Sequence, residues 1–219
     1  MKKVFKYAVF SLGLVAASQG AVAAGDAAAG EAKTAVCAAC HGVDGNSLVA
    51  NFPKLAGLGE KYIVKQLKDI RTGRANGGRD VVEMTGMLNG MSDQDLADIA
   101  AYFSSKPMQL SGAKEIEVQA SSGIKVDGLA LGERVYRGGN TKTAVPACTG
   151  CHSPTGQGNS PAGYPRIGGQ HAAYIEKQLR DFRSGTRWND GDQKIMRQVA
   201  ENMTDAEIIA VSNFIAGLN

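Results

Sequence analysis

The feature that most constrains this chain is a pair of Cys-x-x-Cys-His segments, which together contain all four cysteines and two of the three histidines. This pattern is typical of covalent haem attachment: two thiols form thioether bonds with the porphyrin vinyl groups, and the adjacent imidazole binds the iron. We therefore predict two covalently attached c-type haems, each with a proximal histidine. The cysteines are Cys37, Cys40, Cys148 and Cys151, and the proximal histidines are His41 and His152.

Two other kinds of site use a Cys-x-x-Cys pair, namely a zinc site and a redox-active dithiol. A zinc site with four cysteine ligands requires its two halves to lie close together. Here the halves begin 111 positions apart, and each is followed by a histidine. A redox dithiol follows a β-strand, and no β-branched run precedes either motif. The sequence therefore favours haem attachment over both alternatives.

The first 23 residues have the pattern of a secretory signal peptide. Lys2, Lys3 and Lys6 form a basic start, a short apolar run follows, and Ala21-Val22-Ala23 supplies small residues for cleavage after Ala23 or one residue later. The apolar run is shorter than the roughly 20 residues of a membrane-spanning helix, although an uncleaved anchor stays an alternative. We predict cleavage and export to the periplasm, where c-type haem is attached in bacteria.

The net charge of the mature chain argues against nucleic-acid binding. The precursor has 24 basic and 21 acidic residues, and the signal peptide removes three lysines and no acid. The mature chain is then formally neutral, and the haem propionates make it more acidic. A nucleic-acid-binding protein needs a clustered basic face, so nucleic acid is not an expected partner.

An internal repeat indicates two similar domains. A shift of 112 positions aligns Phe52-Pro53-Lys54-Leu55 with Tyr164-Pro165-Arg166-Ile167, residues 62–71 with 174–183, and residues 91–96 with 203–208. Before the haem motifs the shift is 102, which places a nine-residue insertion around Gly138 to Pro146 in the second copy. We predict a signal peptide over residues 1–23, a first domain over 24–107, an extended linker over 108–125 and a second domain over 126–219.

The periodicity predicts an all-α fold with nearly no strand. Expected helices are Ala27 to Val36 and Leu129 to Arg137 before the haem motifs, two amphipathic helices that end at Gly73 and Gly185, and two final helices capped by Ser92 and Thr204. Domains of 80 to 90 residues have a marginal apolar core. A buried haem would supply the apolar centre of each domain.

A haem that only carries electrons needs a second axial ligand, and methionine suits this role because its thioether favours ferrous iron. The repeat leaves two consistent pairs, Met84 with Met196 and Met91 with Met203. Met91 and Met203 directly precede helix caps, where a hydrophobic staple accounts for them. We therefore predict Met84 and Met196, which we place in irregular segments between helices, as the axial ligands. His171 has no counterpart in the first copy and is interpreted as a polar residue near a helix start.

Two prolines and two arginines recur near the predicted haem sites. Pro53 and Pro165 follow the proximal histidines by 12 and 13 residues. Each can stiffen a turn, and its carbonyl can accept the Nδ1 hydrogen of the proximal histidine, which fixes the ring orientation. Arg71 and Arg183 end their helices, where pairing with haem propionates and exposure to solvent are both open interpretations.

Together these motifs resemble the bacterial dihaem cytochrome c4 family over essentially the whole mature chain. The resemblance rests on the tandem Cys-x-x-Cys-His motifs and on residues 51–57, 83–88 and 168–174. It implies two tandem class I cytochrome c domains with their haem propionate edges near the interface, and iron ligation by His41 with Met84 and by His152 with Met196. It also implies a periplasmic protein, soluble or loosely associated with the inner membrane, that carries electrons towards terminal oxidases.

The expected function is therefore single-electron transport rather than catalysis. The expected partners dock weakly and transiently: a quinol-cytochrome c reductase as electron donor and a haem-copper terminal oxidase of the cbb3 type as acceptor. Two alternatives stay open at this point. One is an electron-entry subunit of a membrane oxidase or dehydrogenase complex. The other is a dihaem peroxidase, which would need one haem with an open or displaceable axial site.

Overall fold

The computed structural model describes residues 24–219. The predicted signal peptide lies outside the described residues. The first half of the structure contains four α-helices: α1 (Ala27–Glu31), α2 (Ala35–His41), α3 (Glu60–Thr72) and α4 (Asp93–Ser104). Short 3-10 turns at Arg74–Asn76 and Val82–Met84 lie between α3 and α4.

The second half repeats this arrangement after a short hairpin. Strands β1 (Glu117–Gln119) and β2 (Lys125–Asp127) pair in antiparallel register. Five helices follow: α5 (Gly128–Gly138), α6 (Thr149–His152), α7 (Ala172–Ser184), α8 (Ile195–Glu201) and α9 (Asp205–Gly217), with a 3-10 turn at Ser160–Ala162. Within residues 24–219, no helix has the length and apolar character needed to cross a bilayer.

The first and last helices of each half pack at very short range, and glycine makes this possible. A Cβ atom added to Gly30 on α1 would lie 2.0 Å from the carbonyl oxygen of Asp98 on α4. In the second half, a Cβ on Gly132 of α5 would lie 2.2 Å from the carbonyl oxygen of Ala210 on α9. The two backbones therefore touch in both halves, and each pair of helices closes one apolar core.

Each half has its own core of buried side chains. The first contains Leu96, Ile99 and Phe103 of α4 together with Ile63 and Leu67 of α3. The second is built from the corresponding helices and contains Val135, Tyr136, Leu179, Ile208, Val211 and Ile215. The tandem organisation expected from the repeat is thus reproduced by two separate cores.

The predicted helix from Ala27 to Val36 is wrong, because the chain forms two helices there. The hydroxyl of Thr34 donates to the carbonyl of Glu31, and the amide of Thr34 bonds to the same carbonyl, which tightens the end of α1 into a single turn. The Thr34 carbonyl then accepts the amides of Cys37 and Ala38 and starts α2. The break lets the haem motif leave the direction of α1. In the second copy, α5 extends one residue beyond the predicted bounds at each end.

The capping predictions for the final helices are confirmed. Ser92 and Thr204 cap α4 and α9, and Asp95 and Glu207 complete the two capping boxes. Arg71 and Arg183 join the preceding helix to these caps. Arg71 donates to the carbonyl of Met91 and to Asp93, and Arg183 makes the same bonds to Met203 and Asp205. Neither of the two interpretations of these arginines had included this bridging role.

The segment expected to be an extended linker instead contains a docked hairpin. Val118 of β1 is buried in the core of the second half, and the chain reverses through a turn that ends at Gly123, whose φ is +82°. Single apolar residues such as Val118 between polar neighbours gave too short a pattern to predict a strand. Met108, at the start of the same segment, is buried in the core of the first half.

Candidate haem sites

The two Cys-x-x-Cys-His motifs open into one continuous cavity of about 1170 Å³ between the halves. All four cysteines and both motif histidines line it, together with apolar side chains from the two cores. The motifs therefore face a common interior rather than separate surfaces. A cavity of this size and apolar character fits porphyrin rings held near one another.

The proximal histidines are positioned by the carbonyl groups predicted from the sequence. The Nδ1 atom of His41 lies 2.8 Å from the carbonyl oxygen of Pro53, and Nδ1 of His152 lies 3.0 Å from that of Pro165. A carbonyl oxygen only accepts, so Nδ1 carries the hydrogen in each ring and Nε2 presents a lone pair. Burial lowers the pKa of both imidazoles. Each imidazole is therefore neutral and offers the lone pair of Nε2, which is the form that binds iron.

The thiols also suit haem attachment. No cysteine in the described chain is in a disulfide. Burial raises the pKa of Cys37, and it raises the pKa of Cys148 to about 11. The four thiols face the same cavity as the adjacent imidazoles. The donor set therefore fits a covalently held porphyrin whose iron is bound by histidine.

The structure places both members of each candidate methionine pair at the cavity. Met84 and Met196 line it, as do Met91 and Met203. Met84 ends a 3-10 turn, as an irregular segment would allow. Met196 was expected in an irregular segment, and this is wrong, because it is the second residue of α8. The carboxylate of Asp190 accepts the backbone amide and the side chain of Arg197, and these bonds hold the first turn of α8.

Met203 is buried in the second core and Met91 packs against the first, directly before the two helix caps. This is the placement that the hydrophobic-staple interpretation requires. His171 is the residue before α7, and it lies at the interface between the halves. Its Nε2 donates to the carbonyl of Ser47, and its Nδ1 lies 2.9 Å from the hydroxyl of Ser111. Both ring nitrogens are therefore already occupied by protein atoms.

A buried polar cluster joins the two halves, and the sequence interpretation missed it. The guanidinium of Arg187 donates to Gln66 and Tyr62 of the first half and to Gln178 and Asn189 of the second. The four side chains that accept these hydrogen bonds line the same cavity. One signal was available: a glutamine recurs four residues after Tyr62 and again after Tyr174, on the otherwise apolar face of each helix.

Comparison with known proteins agrees with this organisation. The cytochrome c family model matches twice, over residues 24–106 and 130–219. Cytochrome c4 of Azotobacter vinelandii is 51% identical over 100% of both chains, and cytochrome c4 of Pseudomonas aeruginosa is 52% identical with the same coverage. The crystal structure of reduced recombinant cytochrome c4 from Pseudomonas stutzeri superimposes with a TM-score of 0.81 at 54% identity, and the match covers 90% of this chain and 100% of that one.

Full-length identity, the doubled family match and the structural similarity agree with the two haem motifs and the two cores. The chain carries two covalent c-type haems in an all-α tandem fold, and it is an electron-transfer protein rather than an enzyme. The chain belongs to the cytochrome c4 family.

Proposed function

We propose that this protein is a periplasmic shuttle that carries single electrons from a quinol-cytochrome c reductase to a terminal oxidase. In each domain the iron is six-coordinate, with His41 and Met84 as ligands in the first and His152 and Met196 in the second. The single observation that carries this proposal is the repeat of one arrangement: a neutral imidazole and a repeat-related methionine on the wall of one cavity.

The chemistry of this ligand pair suits electron transport. Imidazole and thioether hold haem iron in a low-spin state, so little rearrangement accompanies the gain or loss of an electron, and the thioether raises the reduction potential. An iron with six ligands has no open position for peroxide or oxygen. The protein residues in turn fix the imidazole orientation through Pro53 and Pro165 and exclude water with the apolar cavity wall.

The surface beside the first haem motif supports transient docking. Val36, Val49 and Val82 line the cavity, and these residues are 48%, 50% and 82% exposed. A small apolar rim of this kind suits a brief contact of less than about 1,200 Å² rather than a permanent interface. A terminal oxidase of the cbb3 type is the proposed acceptor, with export directed by residues 1–23 and loose association with the inner membrane.

Redox titration followed by optical spectroscopy tests the ligand assignment. Met84→Ala and Met196→Ala should each remove one thioether-to-iron charge-transfer band and lower one of two midpoint potentials. Met91→Leu and Met203→Leu are matched controls, because they alter the other repeat-related pair at the same cavity, and they should keep both bands. An unchanged spectrum in either alanine variant would show that the ligand in that domain is a different residue.

Turnover and purification distinguish the shuttle from the two alternatives. The half-reduced protein should show negligible peroxide reduction, since neither iron offers an open site, and rapid turnover would establish a peroxidase. The shuttle should also purify from the periplasmic fraction without membrane subunits and begin at Ala24 or Gly25. Stable co-purification with an oxidase or dehydrogenase would establish an electron-entry subunit instead.

A further inference from the structure

Gln170 makes a buried polar contact between the two halves. Its side chain is 2% exposed and spans the backbone of Lys54 in the other half. Oε1 accepts the Lys54 amide at 2.9 Å, and Nε2 donates to the Lys54 carbonyl at 2.9 Å. Oε1 also accepts the amide of His171 at 3.0 Å. Two backbone N–H groups donate to Oε1, and a backbone carbonyl accepts from Nε2. These partners fix which end of the Gln170 side-chain amide is oxygen and which is nitrogen.

The contact touches the peptide group that holds the first proximal histidine. The Lys54 amide and the Pro53 carbonyl belong to the same peptide unit. That carbonyl accepts the Nδ1 hydrogen of His41 at 2.8 Å. A chain of hydrogen bonds therefore runs from Gln170 of the second half, through one peptide group, to the imidazole of the first.

Hydrogen bonds in such a chain polarise one another. A peptide whose N–H group is already donating carries more negative charge on its carbonyl oxygen and is a stronger acceptor, by about 10–30% per bond. A stronger acceptor at Nδ1 makes the imidazole more basic at Nε2. A more basic ligand stabilises ferric iron relative to ferrous iron, and hydrogen bonding to axial ligands is a recognised determinant of haem potential.

The second domain lacks this contact. Leu58 occupies the position that corresponds to Gln170 in the repeat. Among residues 24–219, the amide of Arg166, which shares its peptide with the Pro165 carbonyl, has no protein acceptor. The bond from His152 to Pro165 is 3.0 Å, against 2.8 Å for the bond from His41 to Pro53. The repeat is thus asymmetric at the peptide that faces each proximal histidine.

We propose that Gln170 is a positioning residue for the first haem: by accepting the Lys54 amide across the interface, it strengthens the hydrogen bond from His41 to Pro53 and lowers the reduction potential of that haem alone. The proposal rests on the proposed ligation of the first iron by His41. The contact between the domains is then one source of the difference in reduction potential between two haems that have the same ligands.

The test compares the purified holoprotein with Gln170→Met, which keeps the length of the side chain, and with Gln170→Leu as a second variant. Ser111→Ala is the matched control. It removes an interface hydrogen bond to the neighbouring His171 without touching the Pro53–Lys54 peptide. The readouts are the two midpoint potentials, assigned to domains with Met84→Ala and Met196→Ala, and the proton NMR shifts of the two histidine Nδ1 hydrogens in the reduced protein.

In both Gln170 variants the potential of the first haem should rise, and the His41 Nδ1 hydrogen should move upfield as its bond weakens. The second haem and the His152 hydrogen should stay at their wild-type values, and Ser111→Ala should leave all four quantities unchanged. An unchanged first haem overturns the proposal. It is also overturned by an equal shift of both haems or by the same shift in Ser111→Ala, because either indicates a general change at the interface.

Failure of the proposed function gives a different result. In that case the wild-type protein itself lacks two thioether charge-transfer bands or two titration steps. If both are present and the Gln170 variants behave as wild type, only the role of Gln170 is refuted.

Discussion

Replacing Gly30 with alanine tests how closely α1 and α4 must approach. The new Cβ would lie 2.0 Å from the Asp98 carbonyl oxygen, whereas ordinary contact begins at 3.4 Å. Because that neighbour is backbone, a side-chain rotation cannot relieve the overlap, and the helices must separate by about 1 Å or more. Overpacking of this kind costs about 1–3 kcal/mol, and the upper end applies to a backbone neighbour.

Alanine also favours the helix over glycine by about 0.8–1 kcal/mol, which offsets part of this cost. The net loss of unfolding free energy should therefore be about 2 kcal/mol. For a domain of this size, that corresponds to a fall in Tm of roughly 8–16 °C. Gly132→Ala should have a similar effect on the second domain, where the corresponding distance to Ala210 is 2.2 Å.

Thermal unfolding of the oxidised holoprotein, followed by far-UV circular dichroism, measures this effect. Trp188 is the single tryptophan of the chain and lies in the second domain, so its fluorescence separates the unfolding of the two domains. Gly138→Ala is the matched control, since it lies at the end of α5 with no atom within 4 Å of the added Cβ. It should melt at or slightly above the wild-type temperature. A Gly30→Ala protein that melts with the wild type would refute the close-approach argument.

Three further changes test other parts of the structure. The Asp26 amide and the Lys33 ammonium lower the pKa of Asp98 to about 2 from 3.8, so the contribution of this carboxylate to stability is complete above pH 4 and is lost as the pH falls towards 2. In Asp98→Asn, the free energy of unfolding measured with urea should therefore depend less on pH between 4 and 2. The same pH dependence as in the wild type would contradict the assignment. Arg187→Met removes the guanidinium hydrogen bonds to Gln66 and Tyr62 of the first half and to Gln178 of the second, while Arg79 still donates to both glutamines. A hydrogen bond to a charged group contributes about 1.5–3 kcal/mol, so backbone amides at the interface should exchange hydrogen faster; unchanged exchange would show that the Arg187 cluster does not hold the domains together. Val118→Ala removes two buried methyl groups, at a cost of about 1.5 kcal/mol. Proteolysis within residues 111–124 should therefore be faster, and cleavage at the wild-type rate would mean that other contacts hold the hairpin.

The helices that the sequence predicted best carry strong local signals. The ends of α3 and α7 at glycine and the two capping boxes follow from short-range chemistry, so neighbouring residues sufficed to place them. The break at Thr34 was missed because alanine favours helix on both sides, whereas the hydroxyl and the amide of Thr34 both bond to the Glu31 carbonyl. Met196 is helical because Arg197 bonds to Asp190 in the first turn of α8. The spacing of apolar residues does not reveal a bond between two polar residues.

The contacts between the domains could not be predicted in the same way. Gln170 and Lys54 are 116 positions apart, and Arg187 and Gln66 are 121 apart. Such pairs form only when two finished domains meet, and the recurring glutamine at positions 66 and 178 marks one partner without identifying the other. The repeat located the haem motifs because it preserves them. It did not reveal the interface because Gln170 and Arg187 have no counterpart in the first copy, where Leu58 and Ala75 stand at the corresponding positions.

The pairing of the first and last helix in each half has a consequence for assembly. α1 needs α4, and α5 needs α9, but neither pair needs a helix of the other half. As the chain emerges from its amino end, the helices and the core of the first half are complete once Met108 has appeared, before the second haem motif exists. The first core can therefore form on its own, whereas the cavity in front of its haem motif gains the rest of its wall only with the second half. The hydrogen bond from Gln170 to the peptide behind His41 is added when the second half folds against the first.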